Sequence, residues 1–351
     1  MNSIFRKISL AAIVVSVLAS CQHKAGYITI SGYAQGGIYT VKINMDGVCA
    51  SPEEIRDGVD GLLTGIDRSL SGYNRNSLLS SFNEGKEIAP DQLFLDIYSR
   101  AYGIWEETGG VVDVASAPLF DIWGFGFRSG EFPDEDTVAK AMKQSGMHRL
   151  RRDIRAVMTP DGHLTGISLL SDGGEGPKLN YNAIAQGYSC DIVADYLHSI
   201  GVRDMMVDIG EIFCDGKNPS GKPWSLGIDK PVDGNNELGA ELQGIFRVPD
   251  GPHGVVTSGN YRKFYVKDGR KYAHTIDPRT GLPVSHNLLS ATIVASDATT
   301  ADAYATYCMV VGLEDAKAFI ESRQDLEGCL IYDQGGEFRT WCSEGFELEE
   351  H

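Results

Sequence analysis

Asp302 and Thr306 stand four residues apart in the stretch Thr299-Thr-Ala-Asp-Ala-Tyr-Ala-Thr306. On a helix that spacing puts a carboxylate and a hydroxyl on one face. Such a pair near a helix N-terminus can hold a hard cation such as Mg²⁺, which takes oxygen ligands. The same helix end can receive phosphate oxygens. Thr300 is the expected N-cap, and Tyr304, Ala305, Cys308 and Met309 continue as an apolar run. From spacing alone a plainer reading is stronger, because Asp and Thr in a first turn usually cap a helix and balance its dipole.

Other segments carry chemistry of similar ambiguity. His274-Thr-Ile-Asp-Pro-Arg-Thr-Gly281 joins an ionisable pair to a rigid turn. A histidine near neutral pKa can take a proton from an attacking hydroxyl; its plain alternative is a surface histidine beside a Pro-Gly turn. Ala183-Ile-Ala-Gln-Gly-Tyr188 opens a helix with small residues, which suits either close helix packing or a ligand lying on the helix end. Asp208-Ile-Gly210 and Thr257-Ser-Gly259 each follow a strand and read first as turns. Trp123-Gly-Phe-Gly-Phe127, with Tyr73, can cover a planar ring, although core packing is the default for aromatics. There is no Gly-x-Gly-x-x-Gly, no Walker loop and no Gly-x-Ser-x-Gly elbow.

The elements that must position these groups read as an α+β fold with mixed, mostly antiparallel sheets and packed helices. Tyr27–Asn44 is two strands split by Gln35-Gly36-Gly37. Ser51-Pro-Glu-Glu54 is a helix start, with Ile55, Val59, Leu63 and Ile66 at helical spacing. Helices are also expected at Asp91–Glu107, Thr137–Met147, Asn182–Ile200 and Leu313–Arg323. Strand pairs flank the turns Pro160-Asp-Gly162 and Lys267-Asp-Gly-Arg270. Further strands are expected at Met205–Ile209, Trp224–Asp229, Gly244–Val248, Leu288–Ser296 and Cys329–Tyr332.

Residues 1–20 read as a signal peptide: Arg6 and Lys7, the apolar run Ile8–Val17, then Leu18-Ala-Ser-Cys21. Leu-Ala-Ser-Cys resembles a bacterial lipobox, so the expected mature chain begins at a lipidated Cys21, exported and anchored on a bacterial membrane facing the periplasm. Residues 21–346 form one expected domain and 347–351 a frayed tail. The formal net charge of −17 argues against nucleic acid, which calls for a basic stripe. The cysteines after Cys21, at 49, 190, 214, 308, 329 and 342, include no Cys-x-x-Cys pair; they read as buried thiols without a catalytic role.

Seven of these segments fall in one order: Ser71–Ser77 with Asn83, Val112–Leu119 with Trp123–Gly126, Asn182–Tyr188 with Asp191, Val207–Gly210 with Pro223-Trp224, Val256–Tyr261, His274–Gly281 and Thr300–Thr306. In that order the chain resembles the ApbE-type FAD:protein FMN transferases, once called thiamine-biosynthesis lipoproteins, from about Gly32 to Leu313. The resemblance implies an ApbE-like fold related to the T-fold. It also implies that FAD is bound with Mg²⁺ and cleaved at its pyrophosphate, and that FMN passes to a Thr or Ser hydroxyl of a partner protein with release of AMP. Acceptors in that family include subunits of the sodium-pumping NADH:quinone oxidoreductase and of RNF-type complexes.

Carried over, Mg²⁺ falls to Asp302, Thr306 and the carbonyl of Ala183, with Ala305 close by. Flavin contacts fall to Gln35, Tyr73, Val111, Val112, Asp113, Asn180, Gln186 and Ile276. His274 is the expected base. The chain departs from the family where Asn180 replaces a common Asp, Gln186 a common Lys, Gln35 a common Met, and Gly210-Glu211 a common double Gly. Two other readings use the same residues: an FAD pyrophosphatase with water as acceptor, and a flavin-binding lipoprotein without turnover.

Overall fold

The computed structural model describes residues 26–126, 132–158, 164–169, 176–232, 239, 241–260, 264–267 and 270–350. The expected signal peptide and Cys21 lie outside them. The chain opens with β1 (Tyr27–Ala34) and β2 (Gly37–Asn44), registered from Tyr27–Asn44 to Ala34–Gly37. Gln35 and Gly36 form the turn between them, with φ of 51° and 82°. Two consecutive left-handed residues are what a two-residue type I′ hairpin requires.

Next, α1 (Pro52–Leu70) begins as its sequence dictates. The Ser51 hydroxyl accepts from the Glu54 N–H, the Glu54 carboxylate accepts from the Ser51 N–H, and Pro52 takes the first turn. Ile55, Val59, Leu63 and Ile66 are all buried. Five helices follow: α2 (Leu78–Asn83), α3 (Gln92–Glu107), α4 (Ala117–Ile122), α5 (Glu135–Lys143) and α6 (Met147–Asp153). Of these, α2 and α4 are too short to show a helical period in sequence. The strands β3 (Ile154–Met158) and β4 (Leu164–Leu169) pair antiparallel; the Pro160 turn between them lies outside the described residues.

The second half runs α7 (Ala185–Ser199), β5 (Met205–Asp208), β6 (Ile212–Asp215), β7 (Ser225–Asp229), β8 (Leu242–Arg247), β9 (His253–Gly259), β10 (Phe264–Lys267), β11 (Arg270–Ala273), β12 (Ile276–Asp277), β13 (Leu282–Pro283) and β14 (Leu288–Ala295). It closes with α8 (Ala298–Val311), α9 (Leu313–Glu321), β15 (Glu327–Gln334), β16 (Glu337–Cys342) and β17 (Leu348–Glu350). Among the described residues no helix is long and apolar enough to cross a membrane.

Eight strands make one antiparallel sheet in the order β1-β2-β5-β6-β9-β14-β15-β16. Strand β14 shows why both faces are covered: Ala291 and Ile293 enter the core that holds α1, α7 and α8, while Val294 enters a second core with Ile228 and Phe246. Side chains alternate along a strand, so an unbroken apolar run is buried on both sides. The second core is closed by the three-stranded sheet β17-β8-β7.

Two expectations are corrected. The tail does not fray at Leu348–Glu350, which pairs with β8. Phe346 anchors it by stacking on Phe246 at 4.0 Å; an alternation of Glu with one Leu hid that pairing, because its partner strand is remote in sequence. The N-cap of α8 is Asp297, not Thr300, whose N–H donates to the Asp297 carboxylate.

The start of α8 is wedged between α7 and β9. A Cβ on Gly187 would lie 2.2 Å from the Ala298 carbonyl oxygen, and one on Gly254 would lie 2.3 Å from the Ala298 N and Cα. Backbone cannot swing aside as a side-chain tip can, so overpacking here is costly. Gly254→Ala is expected to destabilise the fold by ~2 kcal/mol or more in urea titration. The control Gly61→Ala, with nothing near its Cβ, is expected to stabilise it by about 0.5–1 kcal/mol as a helix-interior substitution.

Candidate active site

Helix α8 leaves the sheet through a carboxylate-lined entrance. Asp297 caps it locally and pairs with Arg100 at 2.5 Å. From α7, Asp191 accepts from the Ala298 N–H at 2.8 Å, the Thr299 N–H at 2.9 Å and the Thr299 hydroxyl at 2.5 Å. Asp191 thereby satisfies the Ala298 and Thr299 N–H groups and Asp297 the Thr300 N–H, all of which the first turn leaves without helical partners.

One turn further on, Asp302 returns the arrangement. Its side chain is 4% exposed, and its Oδ2 accepts the Gly187 N–H at 3.2 Å, in the first turn of α7. No side chain of its own caps α7, which follows Ile184. Each helix thus lends a carboxylate to the other's N-terminus, where the macrodipole favours negative charge.

Burial pushes Asp302 up to about 7, partly opposed by the Gly187 N–H and reinforced by the charge of Asp191. Asp191 is pushed up to about 6, again mainly by burial. Two carboxylates on one helix pair, Asp302 buried and Asp191 half-buried, disfavour each other's charged form; a cation restores it. The residues nearby are hard oxygen donors. Thr306 is half-buried one turn beyond Asp302, Ala305 is buried beside it, and Ala183 lies in the turn that leads into α7. Among the described residues no group of three or more His, Cys, Asp or Glu could hold a metal. Asp302 offers a carboxylate, Thr306 a hydroxyl and Ala183 a backbone carbonyl, which are oxygen groups of the kind Mg²⁺ takes.

Of the expected flavin-side residues, Gln35, Tyr73 and Gln186 lie at the start of α7 or bond to it or to the turn before it, and the others are placed elsewhere. The Gln35 amide, at the hairpin tip, donates to the Ser189 hydroxyl, which donates to the Ala185 carbonyl at 2.7 Å. The Asn182 amide donates to the Tyr73 hydroxyl at 3.1 Å, holding a ring that is 68% exposed. The Asn180 N–H donates to the Val114 carbonyl at 2.7 Å, and Asn180 Oδ1 accepts the Asn182 N–H. The Gln186 amide donates to the Ile209 carbonyl at 3.0 Å. Asp113 is occupied by its own fold, accepting the Ala115 and Met147 N–H groups. Val111, Val112 and Ile276 are buried, so what they can offer a ligand is backbone.

His274 sits with the segment that follows α4. Its ring meets Phe125 edge-on at 6.3 Å, and Trp123 Nε1 donates to the Gly281 carbonyl at 2.9 Å. Ile276 packs with Leu119 beneath them, and β12 lies beside α8. The aromatic-glycine cluster therefore braces the histidine turn against the helix that bears Asp302.

Three residues of this arrangement carried no assigned role in sequence: Asp191, Ser189 and Asn182. Asp191 lies nine residues after Asn182 and acts on a helix more than a hundred residues away, so no local spacing reports it. Thr299, in a stretch that loosely resembles a hydroxyl acceptor, is fully buried and donates to Asp191.

The chain is similar to known proteins over most of its length. The family model described as the ApbE family matches residues 35–330. A curated relative named FAD:protein FMN transferase, from Vibrio cholerae, is 31% identical over 348 residues, covering 97% of each chain. Another of that name, from Haemophilus influenzae, is 29% identical over 345 residues, covering 96% of this chain and 95% of its own. The solved flavin transferase ApbE from Vibrio cholerae superposes with a TM-score of 0.76 at 29% identity, over 91% of this chain and 98% of that one. The apo flavinyl transferase ApbE from Pseudomonas stutzeri gives 0.76 at 27%, over 91% and 95%. The fold is that of the flavin transferases, and the chain is an enzyme of that class. The chain belongs to the ApbE family.

The Asp191 contacts predict a graded loss of stability. Thr299→Val removes one hydrogen bond and should cost ~1 kcal/mol, whereas Asp191→Ala strands three buried donors and should cost ~3 kcal/mol or more. Equilibrium denaturation of the metal-free protein measures both.

Proposed function

We propose that this enzyme transfers FMN from FAD to a Thr or Ser hydroxyl of a partner protein, with Mg²⁺, and releases AMP. The observation that carries the reading is Asp302: a buried carboxylate aimed at the start of α7 in a chain whose curated relatives bear the name FAD:protein FMN transferase. Asp302, Thr306 and the Ala183 carbonyl hold the ion. When bound, Mg²⁺ offsets the negative charge of the pyrophosphate, which grows on the departing AMP.

The chain's own groups do the rest. The start of α7 supports phosphate oxygens with its dipole. Tyr73, held by Asn182, and Gln35, tied to Ser189, border that helix end on the flavin side. His274, braced by Phe125, takes the proton of the acceptor hydroxyl on a ring nitrogen. The acceptor oxygen then bonds to the FMN phosphorus as the bond to the AMP oxygen breaks.

The acceptor is a protein of the kind found in sodium-pumping NADH:quinone oxidoreductase or RNF-type complexes. We also propose that the chain is exported and anchored to a bacterial membrane through lipid on Cys21, facing the periplasm.

Incubating the mature protein with FAD, Mg²⁺ and a candidate acceptor domain tests the reading. AMP together with a fluorescent acceptor supports it. AMP with free FMN makes the enzyme a pyrophosphatase, and neither product makes it a binder. Asp302→Ala should abolish metal-dependent AMP release and leave the circular dichroism spectrum unchanged. His274→Ala should slow transfer by ~10²-fold or more, the usual contribution of a positioned base; transfer at the wild-type rate removes His274 from this role.

A further inference from the structure

Cys329 and Cys342 are thirteen residues apart in sequence and directly opposite each other in the sheet, on β15 and β16. Two observations fix the kind of pair they make. The Ser343 N–H donates to the Gly328 carbonyl at 2.9 Å, so the neighbouring pair, Gly328 and Ser343, is hydrogen-bonded. The hairpin closes with a two-residue turn, Gly335-Gly336, beyond the pair Gln334–Glu337, and counting back by alternation gives the same parity. Cys329 and Cys342 are therefore a non-hydrogen-bonded pair, the type in which Cα atoms approach to about 4.5 Å and side chains share one face most closely. That separation lies inside the range of about 4.4–6.8 Å that a disulfide spans.

Their surroundings differ in a way that suits stepwise oxidation. Cys329 is fully buried in the second core, and Cys342 packs against that core from β16, the last strand in the sheet order, with part of its surface in solvent. The other described cysteines lack this relation. Cys214 faces Met206 and His253 across its ladders, Cys190 and Cys308 lie in helices, and Cys49 is in a loop.

We propose that Cys329 and Cys342 are a redox-modifiable site that closes to a cross-strand disulfide on meeting a small-molecule or protein disulfide. The Cys342 thiolate attacks one sulfur of the oxidant and displaces the other as a thiolate. Cys329 then attacks Cys342 Sγ and displaces the second. One S–S bond forms and one breaks; the two cysteine protons end on the two released thiolates, and the oxidant carries off both electrons. The bond fastens the edge strand β16 to β15 and with it the segment leading to Phe346 and β17. The site lies in the second core, apart from Asp302 and His274, and the proposal does not depend on the flavin chemistry.

Oxidised glutathione is the probe. The reduced full-length protein is incubated with it under native conditions, alkylated, and digested with trypsin, which cleaves after Arg339 between the two cysteines. The proposal expects a peptide joining Gln324–Arg339 to Thr340–His351, lost on reduction and absent from Cys342→Ser. It also expects a rise in Tm of ~5 °C on oxidation in the wild type, the size that closing a short loop gives, and none in Cys342→Ser. Two alkylated thiols at these positions, a glutathione adduct left on Cys342 without the joined peptide, or a link to another cysteine would each overturn it.

Discussion

The exchange of carboxylates between α7 and α8 is the contact on which the rest of the site hangs. Asp191 satisfies the first N–H groups of α8, and Asp302 meets the first turn of α7. The α7 start has no cap of its own, and α8 begins so close to α7 and β9 that only glycine fits at 187 and 254. The sheet holds the crossing in place because β9 and β14, adjacent strands, deliver Gly254 and the approach to Asp297 at the same end. The arrangement keeps two acids in a buried setting where charge is disfavoured. Capping accounts for a carboxylate at each helix start; the divalent cation we propose would offset the charge that burial disfavours.

From that crossing the other parts follow in layers. The hairpin tip reaches over to Ser189, and the Ser71–Ser77 loop brings Tyr73 to Asn182. The segment after Asp113 runs beside Asn180 and continues into the aromatic cluster that braces the His274 turn. Asn180 and Gln186, where the family commonly has Asp and Lys, are each tied to backbone. Both charges are missing together, and a neutral hydrogen-bonded frame stands in their place.

Much of this was legible in the sequence where the signal was local. The helix start at Ser51, the break between two strands at Gln35-Gly36 and the strand β14 each declare themselves within a few residues. So did the pairing of Asp302 with Thr306, although its meaning came from the order of motifs around it and not from spacing. What could not be read is what acts at a distance. The Asp191 side chain looks like any surface acid on a helix until α8 is laid against it. The cap at Asp297 outcompeted Thr300 because the chain leaves β14 in extended form one residue before the helix, which sets the side chain over the Thr300 N–H. The strand at Leu348 depends on β8, a hundred residues earlier.

Manganese can report the cation site directly, because its electron paramagnetic resonance signal is quenched on binding and it accepts the oxygen ligands that Mg²⁺ does. Titrating Mn²⁺ into the FAD-loaded protein, with Mg²⁺ as competitor, measures the claim that Asp302 at the α7–α8 crossing holds the metal. One Mg²⁺-displaceable ion per chain in the wild type, and none in Asp302→Asn with its helical spectrum intact, is the result this account predicts. An unchanged stoichiometry and affinity in Asp302→Asn would contradict it.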